Sequence, residues 1–115
     1  MNPQLIINLV SKYFGVTAEV LLGKSRVRAV SYPRQIACHL IRSHCFMSFE
    51  SIGNTFSLRD HSTIMYYVNK VRKGMREGDA RLTEHVASLE QMIQQCKDHD
   101  ARQEEDRQQA ATGDA

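Results

Sequence analysis

Apolar residues recur at helical spacing in six successive stretches of this chain, and each stretch opens on a capping residue or a Pro. No stretch alternates as a half-buried strand would. That pattern admits an all-α domain and little else. Two Pro and six Gly in 115 residues also leave little material for the tight turns of a sheet.

The first helix is expected from Asn2-Pro3, with Leu5, Ile6, Leu9, Val10 and Phe14 on its buried stripe and Gly15 ending it. Thr17 caps a short second helix carrying Leu21 and Leu22, and Gly23 breaks it. Residues 24–32 then read as a basic loop. Pro33 predicts the start of a third helix, with Ile36, Ala37, Leu40, Ile41 and Cys45 facing inward. Ser48 caps a fourth helix, buried along Phe49, Ile52 and Phe56, in which Gly53 permits a close approach. The Ser57-Leu58-Arg59 turn leads to a fifth helix from about Asp60, with Ile64, Met65, Val68 and Val71 toward the core. Asp79 caps the sixth, where Leu82, Val86, Leu89, Ile93 and Cys96 form an a/d-like seam. Residues 1–97 are expected to be one helix-turn-helix domain. The polar residues 98–115 are expected to be a disordered acidic tail.

Charge divides along the chain. Residues 1–76 hold 11 Lys and Arg against 3 Asp and Glu, a net +8; residues 77–115 hold 4 against 10, a net −6. A basic body points to a polyanionic partner. No run approaches the length of a membrane span and no signal peptide is visible, so the expected location is cytoplasmic, with the nucleoid. Cys38, Cys45 and Cys96 match no zinc spacing and read as free thiols. No phosphate-cradling glycine loop and no metal motif occurs, so no cofactor, no metal and no catalysis is expected. Asp60 and His61 could suggest a hydrolase, but neighbours on a helix diverge by about 100° and no nucleophile is placed against them.

The chemistry concentrates at two places. At the start of the fifth helix, Asp60 can accept from a cytosine amino group. His61 can donate to a purine, and Ser62 and Thr63 can bond base edges or phosphate. The same residues have a purely structural use, since Asp60 or Ser62 can cap the helix. The second place is the basic loop, where Arg26 and Arg28 can enter a narrow minor groove. Arg34 and Gln35 would add donors at a helix N-terminus that already favours phosphate. Arg42 and Lys70 are further candidate phosphate contacts.

Three blocks in order resemble the C-terminal DNA-binding domain of the bacterial replication initiator DnaA. They are Val20-Leu21-Leu22-Gly23-Lys24-Ser25-Arg26, then Pro33-Arg34-Gln35-Ile36-Ala37. The third is Ser48-Phe49-Glu50-Ser51-Ile52-Gly53 with Phe56, followed by Arg59-Asp60-His61-Ser62-Thr63-Ile64. The resemblance implies the six-helix fold of that domain, Trp-repressor-like, with a helix-turn-helix. It implies that Arg26 reads the minor groove of the A·T-rich half of an initiator box, and that Asp60, His61 and Ser62, with Thr63 beside them, read the major groove. Arg28, Arg34, Gln35, Arg42, Arg59 and Lys70 would be backbone or supporting contacts. The chain departs from the family at Ser57 and Leu58, where Gly is usual, at Ser62, where Thr is favoured, and at Tyr66, commonly a smaller residue or His. The ATPase region that precedes this domain in the initiator is not in the sequence. The expectation is therefore a stand-alone reader of double-stranded DNA, without ATPase activity, that regulates replication or transcription.

A second expectation competes. The seam of Leu82, Val86, Leu89 and Ile93 could pair with a partner helix or a second copy, making residues 79–97 an interaction module that only tethers to DNA. The same seam could instead close the chain's own core. A single-strand or RNA binder fits less well, because Tyr and Phe are scattered without an apparent stacking platform.

Overall fold

The computed structural model describes the backbone of residues 1–113 and the side chains of residues 1–99. It contains α1 (Pro3–Phe14), α2 (Ala18–Leu22), α3 (Arg28–Cys45), α4 (Phe49–Thr55), α5 (His61–Arg76) and α6 (Ala80–Gly113), and no strand among the described residues. The caps form where the sequence offers them. Asn2, Thr17, Ser48 and Asp60 each accept a backbone N–H of the first turn of α1, α2, α4 and α5. Asp79 does the same for α6, accepting from Leu82 N at 3.1 Å.

α3 is the central element and packs against α1, α2, α4 and α5. Its Ile36, Ala37, Leu40 and Ile41 are buried with Ile6, Ile7 and Val10 of α1, Leu21 of α2, Ile52 of α4, and Ile64 and Val68 of α5. α3 begins at Arg28, five residues before Pro33, where the sequence predicts a loop. Val27 is its N-cap and has no side-chain cap bond; its carbonyl instead accepts from Val30 N and Ser31 N at 2.9 and 2.8 Å. Pro33 therefore lies inside the helix, where its missing N–H frees the first-turn carbonyl of Ala29, an exposed residue. Met65 is also turned outward rather than to the core, and the half-buried Tyr67 packs against the core instead.

α6 closes the core against α1 and α5. Leu82, Val86, Leu89 and Ile93 are between 0 and 6% exposed. The seam is thus spent on the chain's own interior, at roughly 1.5–3 kcal/mol per side chain. This corrects the expectation of a dimer or partner interface through these four residues, because no apolar stripe remains there for a second helix. Beyond Lys97, α6 continues to Gly113 where a disordered tail is expected. The Gln, Glu, Arg and Ala of that stretch are strong helix formers and need no apolar stripe to propagate a helix already begun.

Side-chain bonds pin α6 to α3. The Tyr32 hydroxyl lies 2.9 Å from His85 Nδ1. Lys97 Nζ lies 3.0 Å from His44 Nδ1, and Glu90 Oε2 lies 2.7 Å from His44 Nε2. His39, on the same helix, is 8% exposed, and its Nδ1 has no hydrogen-bond partner among the described residues. Burial, with the charge of Arg72 on α5 and of His44, pushes the His39 pKa down, while Glu90 on α6 opposes the shift. The unfolded chain therefore binds a proton at His39 more readily than the folded one. Stability should fall as pH drops below about 6.5, the ordinary His value. Urea midpoints at pH 7 and pH 5 will show the fall, and His39→Gln should flatten it; an unchanged slope in that variant would refute the assignment.

The three cysteines are free; Cys38 is buried and its thiol is pushed up to about 12 by desolvation. No described helix is long and apolar enough to cross a membrane. No cluster of His, Cys, Asp or Glu that could hold a metal occurs among the described residues.

Candidate nucleic-acid interface

Gly53 sets the helix-turn-helix. The chain leaves α4 through Phe56, passes Ser57 and Leu58 in the left-handed region at φ of 60° and 57°, and returns so that Arg59 N donates to Gly53 O at 2.9 Å. A Cβ on Gly53 would lie 2.1 Å from the Arg59 carbonyl oxygen. The close approach at Gly53 is thus to the main chain of the turn. Two consecutive left-handed residues with side chains cost about 1–2 kcal/mol each, and Ser57 Oγ offsets part of this by donating to Leu22 O at 2.5 Å.

Ser57 is one of three side chains that tether the segment leading to Arg26 to the turn or to α3. Arg59 Nη2 donates to Gly23 O at 2.7 Å, and Nη1 to Phe56 O at 3.0 Å. Arg34 is fully buried, with Nε on Leu21 O at 2.8 Å, Nη1 on Ser25 O at 2.6 Å and Nη2 on Val20 O at 3.3 Å. Burial and the neighbouring Arg59 charge lower the Arg34 pKa, yet a guanidinium remains charged. Arg34 is therefore a structural brace and corrects the expectation of a phosphate contact: each of its three nitrogens is held by a main-chain oxygen and no solvent reaches it. Arg59 is half-buried and spends two nitrogens the same way. Arg42 donates to Met47 O at 2.6 Å with its guanidinium 4.3 Å from the Phe49 ring, so it ties the end of α3 to the start of α4.

The remaining expected residues lie outward. Arg26 is exposed on the non-helical segment before α3, and Arg28 is exposed as the first residue of α3. With Gln35 and Lys70 they line one groove of 810 Å³ between the start of α3 and the second half of α5. Tyr66, Asn69 and Lys73 share that groove; sequence reasoning missed them as site residues. Counting helical steps from Ser62 through Tyr66 and Asn69 to Lys73 would have found them. Lys70 Nζ sits 5.8 Å from the Tyr66 ring, which leaves the ammonium over an exposed aromatic.

At the N-terminus of α5 both uses of Asp60 meet. Its Oδ1 accepts from Ser62 N at 2.8 Å and Ser62 Oγ at 2.7 Å, which holds the carboxyl below the usual carboxylate range. Ser62 Oγ is thereby engaged, whereas His61 is exposed, with Nδ1 3.5 Å from the Asp60 carboxylate. Thr63 is half-buried behind them. The interface thus joins a capped, solvent-facing helix start to a groove with cations on both banks.

The model of the bacterial DnaA protein helix-turn-helix matches residues 3–71. The chain is 40% identical over 83 residues to chromosomal replication initiator protein DnaA 2 of Protochlamydia amoebophila, covering 72% of this chain and 18% of that relative. It is 34% identical over 93 residues to the initiator DnaA of Gloeothece citriformis, with 81% and 20% covered. Against that of Neisseria meningitidis serogroup C it is 38% identical over 94 residues, with 82% and 18% covered. The chain spans about a fifth of the length of these relatives. With residues 3–71 matched and their turn closed on Gly53, the chain belongs to the bacterial DnaA helix-turn-helix family.

Proposed function

We propose that this chain binds double-stranded DNA sequence-specifically at initiator-box-like sites and acts as a regulator of replication or transcription. The observation that carries the reading is the groove that brings Arg26, Arg28 and Gln35 opposite Lys70, beside the exposed start of α5. In this reading the N-terminal turn of α5 enters the major groove. His61 reads a base edge, Asp60 uses the carboxylate oxygen not taken by Ser62, and Thr63 packs its methyl beside them. Arg26 reaches an adjacent narrow minor groove. Arg28, Gln35, Lys70 and Lys73 hold the phosphates between, with Arg42 offering what its contacts to Met47 and Phe49 leave free. Arg34 and Arg59 contribute by bracing. No nucleotide-cradling loop occurs in these 115 residues, so ATP chemistry has no part in this reading.

Fluorescence anisotropy against box-containing and scrambled duplexes tests it. His61→Ala is expected to cost about 1–3 kcal/mol on the box and little on the scrambled duplex. Lys70→Ala should weaken both alike, and four contacting cations should give a log affinity against log salt slope of about −3 to −4. Equal affinity of the unaltered protein for both duplexes at physiological salt would defeat the specific reading.

A further inference from the structure

Three of the eight Tyr and Phe residues of the sequence are gathered at one place with a histidine. Tyr13 and Phe14 at the end of α1, Tyr32 on α3 and His85 on α6 meet with ring centroids 4.9–5.8 Å apart. Their planes cross at 68–86°. In an edge-to-face pair the ring that presents its edge keeps both of its faces clear of that partner. They line a cavity of 620 Å³, within the range of small-ligand sites. Its rim carries Arg28 and Arg81, whose charges both act on the Tyr32 hydroxyl, with Asp79 as the opposing acid. Arg28, Tyr32 and Asp79 line this cavity and the groove of the candidate interface alike, so the two adjoin.

Aromatic faces beside a cationic edge are what single-stranded nucleic acid requires: bases stack and phosphates pair. We propose that this cavity takes an unpaired nucleotide from the DNA strand that runs on past the duplex, its base against Tyr13 and His85 and its phosphate on Arg28 and Arg81. The assignment rests on the duplex reading above for its geometry. A strand leaving the groove passes Arg28 and meets the rings next. The chain would then favour a junction of duplex and single strand over a blunt duplex.

The test compares a blunt box duplex, the same duplex with a short single-stranded overhang carrying fluorescent aminopurine, and the free single strand. The overhang is expected to bind about five- to tenfold tighter than the blunt duplex, with quenching of the aminopurine on stacking. Tyr13→Ser and Arg81→Gln, both at exposed positions, should abolish the gain and the quenching while leaving the blunt duplex unchanged. Equal affinity for the two duplexes, or a gain that persists in both variants, would overturn the proposal. Failure of the blunt duplex to bind would strike the duplex reading alone. In that case quenching of the free single strand, lost in Tyr13→Ser, still upholds the cavity, and no quenching refutes it.

Discussion

Gly53→Ala is expected to lower stability by about 3 kcal/mol or more, although alanine is the better helix former by about 1 kcal/mol. The new Cβ would stand 2.1 Å from the Arg59 carbonyl oxygen and 3.2 Å from its carbon. That carbonyl cannot rotate away as a side chain would. It is fixed on one side by the Arg59 N–H bond to Gly53 and on the other by the Asp60 cap. Relief requires α4 and α5 to part, which opens the turn that positions His61. Urea unfolding should show a lower midpoint at unchanged slope. Box affinity should fall at least tenfold at a temperature where the variant is still folded. Gly74→Ala is the matched control. Its Cβ would meet only Leu82 Cδ2, at 2.6 Å, the free end of a rotatable side chain. The expected cost is about 1 kcal/mol or less, the helix preference for alanine offsetting the readjustment. Equal losses in the two variants would show that the main-chain clash does not govern the turn.

Arg34→Met is the second large effect. It keeps an unbranched stem but leaves the carbonyls of Leu21 and Ser25 without the Arg34 donor and Val20 O with Gly23 N alone. At about 1–3 kcal/mol per abandoned buried group, a loss of about 3 kcal/mol is expected. The thermal midpoint should then fall by roughly 10–20 °C. Amide hydrogen exchange should quicken over residues 24–28 ahead of α3 and α5. A phosphate contact would behave otherwise, weakening DNA binding with the thermal midpoint unmoved, and that outcome would return Arg34 to the interface. Arg34→Lys should recover little, because a single ammonium does not reproduce the planar fork that meets three carbonyls at once.

The contrast between these two residues shows what the amino-acid sequence discloses. Gly53 is legible as a close approach, and five caps are legible because Asn, Thr, Ser and Asp act on the main chain within three residues of themselves. Arg34 is not legible as a brace. Its partners are backbone oxygens of another segment, and a carbonyl has no letter of its own. The start of α3 is hidden for a related reason: Val27 supplies no side-chain cap, and a cationic first turn ahead of a Pro reads as loop. In the seam, Leu82 to Ile93 specify an apolar stripe but not which surface covers it; only the packing of α1 and α5 decides that. Along the groove, His61 and Lys70 stand out by chemistry. Tyr66 and Asn69 are legible only by helical step from Ser62, and the crossing of Arg26 from α3's leading segment is what makes a groove of them.

Because Arg34, Arg59 and Ser57 all address main-chain oxygens between Val20 and Ser25, these hydrogen bonds do not draw on the side chains of Lys24 and Arg26. Lys24 and Arg26 can be exchanged without loosening a single brace. Folding and target choice are therefore written in separate registers: one in the oxygens of the backbone, the other in whatever side chain mutation sets upon it. Such a scaffold can drift from one DNA sequence to another through functional intermediates, each as well folded as the last.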